Sequence, residues 1–108
     1  MLIAVVIGGW LFLRASTISG ARARELVGGG ALLVDVRSKA EFVSGHIEGA
    51  VNIPVSELEA RIAELGDKQG SIVLYCHSGA RSARAKWYLE SQGYTTVANL
   101  GAMTSWPP

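Results

Sequence analysis

Cysteine is almost missing from this chain, which has one, Cys76, in 108 residues. An internal disulfide is therefore excluded, and with only His46 and His77 as further soft ligands no metal-type spacing exists, so neither a metal nor a cofactor is expected. Charge of one sign is lacking too. Ten Lys plus Arg against nine Asp plus Glu leave a net charge of +1, far from the basic excess that a phosphate backbone demands, which argues against a nucleic-acid partner. The length leaves room for a single hydrophobic core and excludes a two-domain enzyme. No internal repeat or low-complexity tract is present.

What is abundant is apolar, and it is unevenly placed. Residues 1–13 carry no charged or polar side chain, and all nineteen formal charges lie at or after Arg14. As a helix, this run reaches only about 20 Å against a hydrocarbon core of about 30 Å. Extending it to Ile18, with Arg14 snorkelling to the interface, brings about 27 Å. Residues 1–18 are thus read as a short apolar helix acting as a membrane anchor or signal-like segment, and residues 19–108 as the folded domain. Arg14, Arg22 and Arg24 follow the apolar run, which places the tethered domain in the cytoplasm. Export is the alternative: Ser19 and Ala21 are small enough for a cleavage site, although no basic stretch precedes the run.

Beyond residue 19 short helical and β-rich runs alternate, an α/β rhythm. Residues 21–27 predict a helix stopped by Gly28, and residues 31–36 a buried strand. Ser38 and Glu41 form an S-x-x-E capping box opening a short helix that Gly45 ends. Residues 51–53 predict a short strand. A second such box, Ser56 with Glu59, predicts a helix with Leu58, Ile62 and Leu65 on one face and Gly66 at its end. Residues 71–75 are the clearest central strand. The helix predicted over 80–92 would bury Ala83, Trp87 and Tyr88, and residues 95–98 predict a last strand.

The stretch that carries chemistry is Cys76-His77-Ser78-Gly79-Ala80-Arg81-Ser82, where the central strand turns into a helix. In open α/β sheets, ligand sites form at the carboxyl ends of strands. A turn containing Gly79 can curl backbone N–H groups toward one point, and the helix N-terminus adds positive potential there. A sulfur in such an anion cradle, with Arg81, Arg84 and Lys86 nearby in sequence, is held as a thiolate and is a nucleophile.

Two motifs in order then carry a resemblance: D-V-R-x-x-x-E-F-x-x-G-H-I-x-G-A-x-N-I-P from Asp35 to Pro54, and C-H-S-G-A-R-S from Cys76 to Ser82, with a looser N-L-G-A and Trp106 near the end. From about residue 19 to Trp106 the chain resembles a single-domain rhodanese, a sulfurtransferase module. The resemblance implies a rhodanese-like α/β fold with a central parallel sheet flanked by helices. It also implies a catalytic cycle through a persulfide on Cys76. A small anionic donor such as thiosulfate would load the sulfur, and cyanide or a thiol, or else a protein persulfide partner, would accept it. Backbone groups of His77, Ser78, Gly79, Ala80, Arg81 and Ser82 would bind the persulfide anion. Arg81 either holds the donor or braces the loop. Asp35, at a strand end, and Arg37 complete the substrate-binding set, with Arg37 also expected to pair with Glu41. Two departures stand out: Ser78 sits where thiosulfate-specialised members carry a basic residue, and N-L-G-A-M-T-S-W is one residue short of the usual form.

Two alternatives come from other classes. Cysteine-dependent phosphatases and arsenate reductases resemble one another in C-x-x-x-x-x-R, whereas here Arg81 lies five residues after Cys76 and Ser82 holds the sixth position, a cradle too tight for a tetrahedral phosphate. A non-catalytic, membrane-tethered interaction module is the other, and the intact Cys76 loop argues against it.

Overall fold

The computed structural model describes residues 17–108, so residues 1–16 of the short apolar helix expected over residues 1–18 lie outside the described residues. Among the described residues no helix is long and apolar enough to cross a membrane. Thr17 and Ile18, grouped with the apolar segment on sequence grounds, sit on the folded domain. Thr17 forms a parallel bridge to Asn99, and the Ile18 N–H donates to the Asn99 carbonyl at 2.9 Å.

Four parallel strands form one sheet in the order β2-β1-β3-β4: β1 Leu32–Asp35, β2 Val51–Asn52, β3 Ser71–Cys76 and β4 Thr96–Ala102. The expected parallel sheet is confirmed. Side chains alternate across it, as extended chain requires. Val34, Val36, Ile72, Leu74 and Cys76 pack on one face with Leu58, Ala85 and Leu89, while Leu33, Val73 and Tyr75 pack on the other with Ala23 and Leu100. Chain direction across the sheet reverses between β1 and β3, so the carboxyl ends of these two strands flank the topological switch point. Asp35 ends one and Cys76 ends the other.

Helix α1 (Gly20–Gly28) starts at Ser19, whose hydroxyl accepts from the Arg22 N–H at 3.1 Å. Helix α2 (Lys39–Ser44) carries the expected capping box, with Ser38 and Glu41 bonded reciprocally, and stops at Gly45 with φ of 149°. The helix predicted from Ser56 does not form. Two 3-10 turns, Val55–Glu57 and Ile62–Leu65, take its place, and neither has a side-chain cap. A stretch this short gains little from helix propagation, so docking decides: Val55 N–H bonds the Val36 carbonyl while Leu58 and Leu65 bury in the core.

Helix α3 (Ala80–Ser91) lies where expected but is turned about its axis. Ser82, Ala85 and Leu89 are buried and Tyr88 packs half-buried against the core as expected, whereas Ala83 is exposed and Trp87 is 62% exposed. The predicted apolar face is corrected because Ser82 faces the Cys76 sulfur, and at about 100° per residue Trp87 then falls about 140° away. Strand β4 runs further than predicted, through a register shift opposite Leu74 and Tyr75. Asn99 Oδ1 accepts from Gly101 N–H at 2.8 Å, and Gly101 takes φ of 87°. These two residues, poor strand formers in general, carry the bulge.

The amino end of α1 abuts the carboxyl-terminal turn. A Cβ on Gly20 would stand 1.9 Å from the Ser105 carbonyl oxygen, whereas one on Gly28 meets nothing within 4 Å. Gly20→Ala is therefore expected to lower the denaturation midpoint in urea. Gly28→Ala should raise stability by about 0.5–1 kcal/mol in the same titration.

Candidate active site

Cys76 is fully buried at the end of β3, inside the α3 core cluster. Gly79 caps α3 in the left-handed region with φ of 102°, which turns its N–H back onto the sulfur, 3.0 Å from Sγ. Ser82 Oγ lies 3.4 Å from Sγ and 3.1 Å from the Gly79 carbonyl, with one proton to share between them. Burial pushes the Cys76 thiol up, but the Ser82 hydroxyl and the N–H groups of Ser82, Gly79 and Arg81 outweigh it and hold the thiol below its ordinary value. The groups that converge on Sγ are thus the N–H groups of Gly79, Arg81 and Ser82 and the Ser82 hydroxyl, which form a cradle at the strand end. His77, Ser78 and Ala80 are on its exposed rim.

The arginines are paired differently from expectation. Arg37 does not bind Glu41. Its Nε and Nη2 donate to the Asp35 carboxylate at 2.7 to 3.1 Å, and Nη2 also donates to the Gly45 carbonyl at 2.7 Å. Asp35 is 0% and Arg37 4% exposed. Two residues apart at the exit of β1, they close a tight ring that the Arg37 N–H joins by donating to Asp35 Oδ1 at 2.9 Å. The hydrogen bond that Arg37 donates to Asp35 outweighs burial and raises the Arg37 guanidinium above its usual pKa. Its charge lies 5.8 Å over the Tyr75 ring, and the Tyr75 hydroxyl accepts from Ile47 N–H at 3.1 Å.

Glu41 binds Arg81 instead, forty residues on, with Nη1–Oε1 of 2.6 Å and Nη2–Oε2 of 2.9 Å. This fork-to-fork pair ties α2 to the first turn of α3. Hydrogen bonding to Arg81, then to the Ser38 N–H, holds the Glu41 carboxyl well below the usual carboxylate range. Both terminal nitrogens of Arg81 are engaged in this brace.

Asn52, Tyr75 and Asn99 were not singled out as site residues. Asn52 Nδ2 donates to the carbonyls of Asp35 and Arg37, each at 2.9 Å, and so pins the exit of β1. An asparagine inside a predicted strand was the available signal, since that residue is disfavoured there without a side-chain role. His46 is a turn residue as expected: its Nδ1 lies 2.9 Å from the Phe42 carbonyl and its ring stacks on Phe42. Two surface grooves, of about 230 and 390 Å³, are lined by Val55, Arg84 and Trp87 and by Lys39, Phe42 and Arg61 among others. Neither includes the cysteine loop.

A thiol held low in this way stays ionised to lower pH than free cysteine. The rate of Cys76 alkylation by iodoacetamide against pH should show its midpoint below that of a simple thiol. Ser82→Ala should move the midpoint upward and cut the rate at neutral pH roughly fivefold, the equivalent of one net hydrogen bond of about 1 kcal/mol.

Comparison with known proteins agrees with this geometry. A family profile described as the rhodanese-like domain matches residues 19–107. The chain is 39% identical over 71 residues to the Escherichia coli protein named thiosulfate sulfurtransferase PspE, covering 65% of this chain and 68% of that one. It is 37% identical over 109 residues to the human protein named thiosulfate:glutathione sulfurtransferase, covering 85% and 93% respectively. Among solved structures, a human single-domain sulfurtransferase superposes with a TM-score of 0.76 at 36% identity, over 84% of this chain and 94% of that chain. With the cradle, the parallel sheet and these matches all in register, the chain belongs to the rhodanese-like domain family.

Proposed function

We propose that this protein is a sulfurtransferase that carries a sulfane sulfur on Cys76. The observation that carries the reading is the convergence of the Gly79 N–H and Ser82 hydroxyl on the buried sulfur of the chain's one cysteine. The relatives' names support it: both the bacterial and the human protein are called thiosulfate sulfurtransferases of one kind or another.

In this mechanism the Cys76 thiolate attacks the outer sulfur of a donor such as thiosulfate. A new Sγ–S bond forms, the donor's S–S bond breaks, and sulfite leaves with the bonding electrons. The terminal sulfur of Cys76–S–S⁻ then carries the negative charge, and the N–H groups aimed at the cradle stabilise it without reorganising. Cyanide or a thiolate attacks that terminal sulfur, leaving as thiocyanate or a persulfide and returning the Cys76 thiolate. One cysteine suffices for this double displacement, and no step needs a general base because the nucleophile is already ionised. Asp35 and Arg37 serve the reaction as a frame that fixes the end of β1 beside the cradle, rather than as donor ligands. The phosphatase alternative is disfavoured by Arg81, whose terminal nitrogens are engaged by Glu41.

Incubating the purified protein with thiosulfate should add one sulfur atom to its intact mass, cyanide should remove it, and Cys76→Ser should gain nothing. Absence of the mass gain with thiosulfate and with a persulfide donor alike would overturn the reading. We further propose that the N-terminal segment expected over residues 1–18, with its apolar run 1–13, holds the domain at a membrane with the cradle in the cytoplasm, supported by the absence of any charge before Arg14 and by the basic Arg14, Arg22 and Arg24 after the run. An impermeant thiol reagent applied to intact cells should leave Cys76 unlabelled until lysis, and labelling before lysis would contradict this side assignment.

A further inference from the structure

The cradle holds one side-chain guanidinium, and it is not free. Both terminal nitrogens of Arg81 are forked by Glu41, and Glu41 is itself held from behind, its Oε1 accepting from the Ser38 N–H and hydroxyl at 3.0 Å each. The capping box thus prevents the carboxylate from following Arg81 toward a ligand. The pair is nevertheless accessible, with the two side chains 38% and 35% exposed, so a donor arriving at the rim meets it. On the neighbouring strand the Asp35 charge is cancelled by Arg37. The two ion pairs at the cradle thus cancel their charges internally, Arg81 with Glu41 and Asp35 with Arg37. What faces an incoming anion is a set of neutral donors: N–H groups and one hydroxyl.

We propose that Glu41 is a specificity-determining positioning residue: by neutralising Arg81 it tunes the cradle for sulfur donors of low charge, such as a small-molecule persulfide, and against the dianion thiosulfate. The inference rests on the sulfurtransferase reading above and names the donor class for it. With a persulfide R–S–SH the Cys76 thiolate bonds to the outer sulfur, the R–S bond to that sulfur breaks, and RS⁻ leaves with the electron pair. The transferred sulfur keeps its proton or releases it to water. That donor's persulfide group brings at most one negative charge to the cradle, whereas thiosulfate brings two to a site whose Arg81 charge is already engaged by Glu41.

The test is Glu41→Gln, which keeps an oxygen for the capping box and for Arg81 but removes the countercharge. The ratio of kcat/KM for thiosulfate to that for cysteine persulfide should rise about tenfold, mainly through the KM for thiosulfate. Arg81→Gln alone leaves Glu41 uncompensated and should lower the ratio, and adding Glu41→Gln in that background should bring it back to about the starting value. Glu41→Asp, which retains the charge but shortens the fork, provides a second folded variant and should raise the ratio by less. A ratio unchanged in Glu41→Gln, a parallel loss with both donors, or a ratio that does not fall in Arg81→Gln would each overturn the proposal. A separate readout does not depend on turnover: Glu41→Gln should increase alkylation of Cys76 by iodoacetate relative to neutral iodoacetamide severalfold. If that shift is seen while no donor loads sulfur, the sulfurtransferase reading fails and the charge control by Glu41 stands. If sulfur transfer is normal and the alkylation ratio is flat, the reverse holds.

Discussion

Fixed dipoles converge on one buried sulfur, and the rest of this domain is arranged around that convergence. An ion removed from water must find its stabilisation in fixed dipoles, and this fold supplies them at one place, the exit of β3. That strand is paired on both sides and buried over its last five residues, so the backbone beyond Cys76 starts from a fixed position. Gly79 can then turn back by a conformation open to few other residues, and α3 must begin with its first N–H groups directed at the sulfur. The rotation of α3 follows from the same requirement, because Ser82 has to reach Sγ. An exposed Trp87 on the outer face is the visible cost of that choice.

Two ion pairs around the cradle have different physical characters. Asp35 and Arg37 are both buried and bonded through several atoms, the situation in which removing one partner costs about 3–5 kcal/mol because the other is left charged and alone. Their job is to be immobile. Glu41 and Arg81 are half-exposed, where a pair contributes little to stability. Their effect is electrostatic and geometric: they fasten α2 to α3 and decide what charge the rim presents.

The sequence disclosed these features unequally. The strand before Cys76, the cradle residues and the Ser38–Glu41 box were readable because each is local, with donor and acceptor only a few positions apart. The partners of Arg37 and Arg81 were not, since the choice between Asp35 and Glu41 depends on how α2 lies against α3, forty residues away along the chain. The segment after Pro54 carried a good capping signal and still formed 3-10 turns, because contacts of Leu58 and Leu65 outweighed propensity in so short a stretch. The extra length of β4 was hidden by Asn99 and Gly101, residues that break the usual strand pattern yet here create the bulge.

The contact between the start of α1 and the last turn has a consequence at another scale. Gly20 touches the backbone of Ser105, Arg24 reaches the carbonyls of Pro107 and Pro108 and lies 5.6 Å over the Trp106 ring, and Ile18 and Trp106 share one apolar cluster. The two boundaries of the folded unit are therefore neighbours in space. A unit of that shape can be spliced into a host polypeptide, between domains or within a surface loop, without stretching either junction. Sulfur-handling modules built on this plan are in that sense portable, and their evolutionary traffic among longer proteins needs no redesign of the interior.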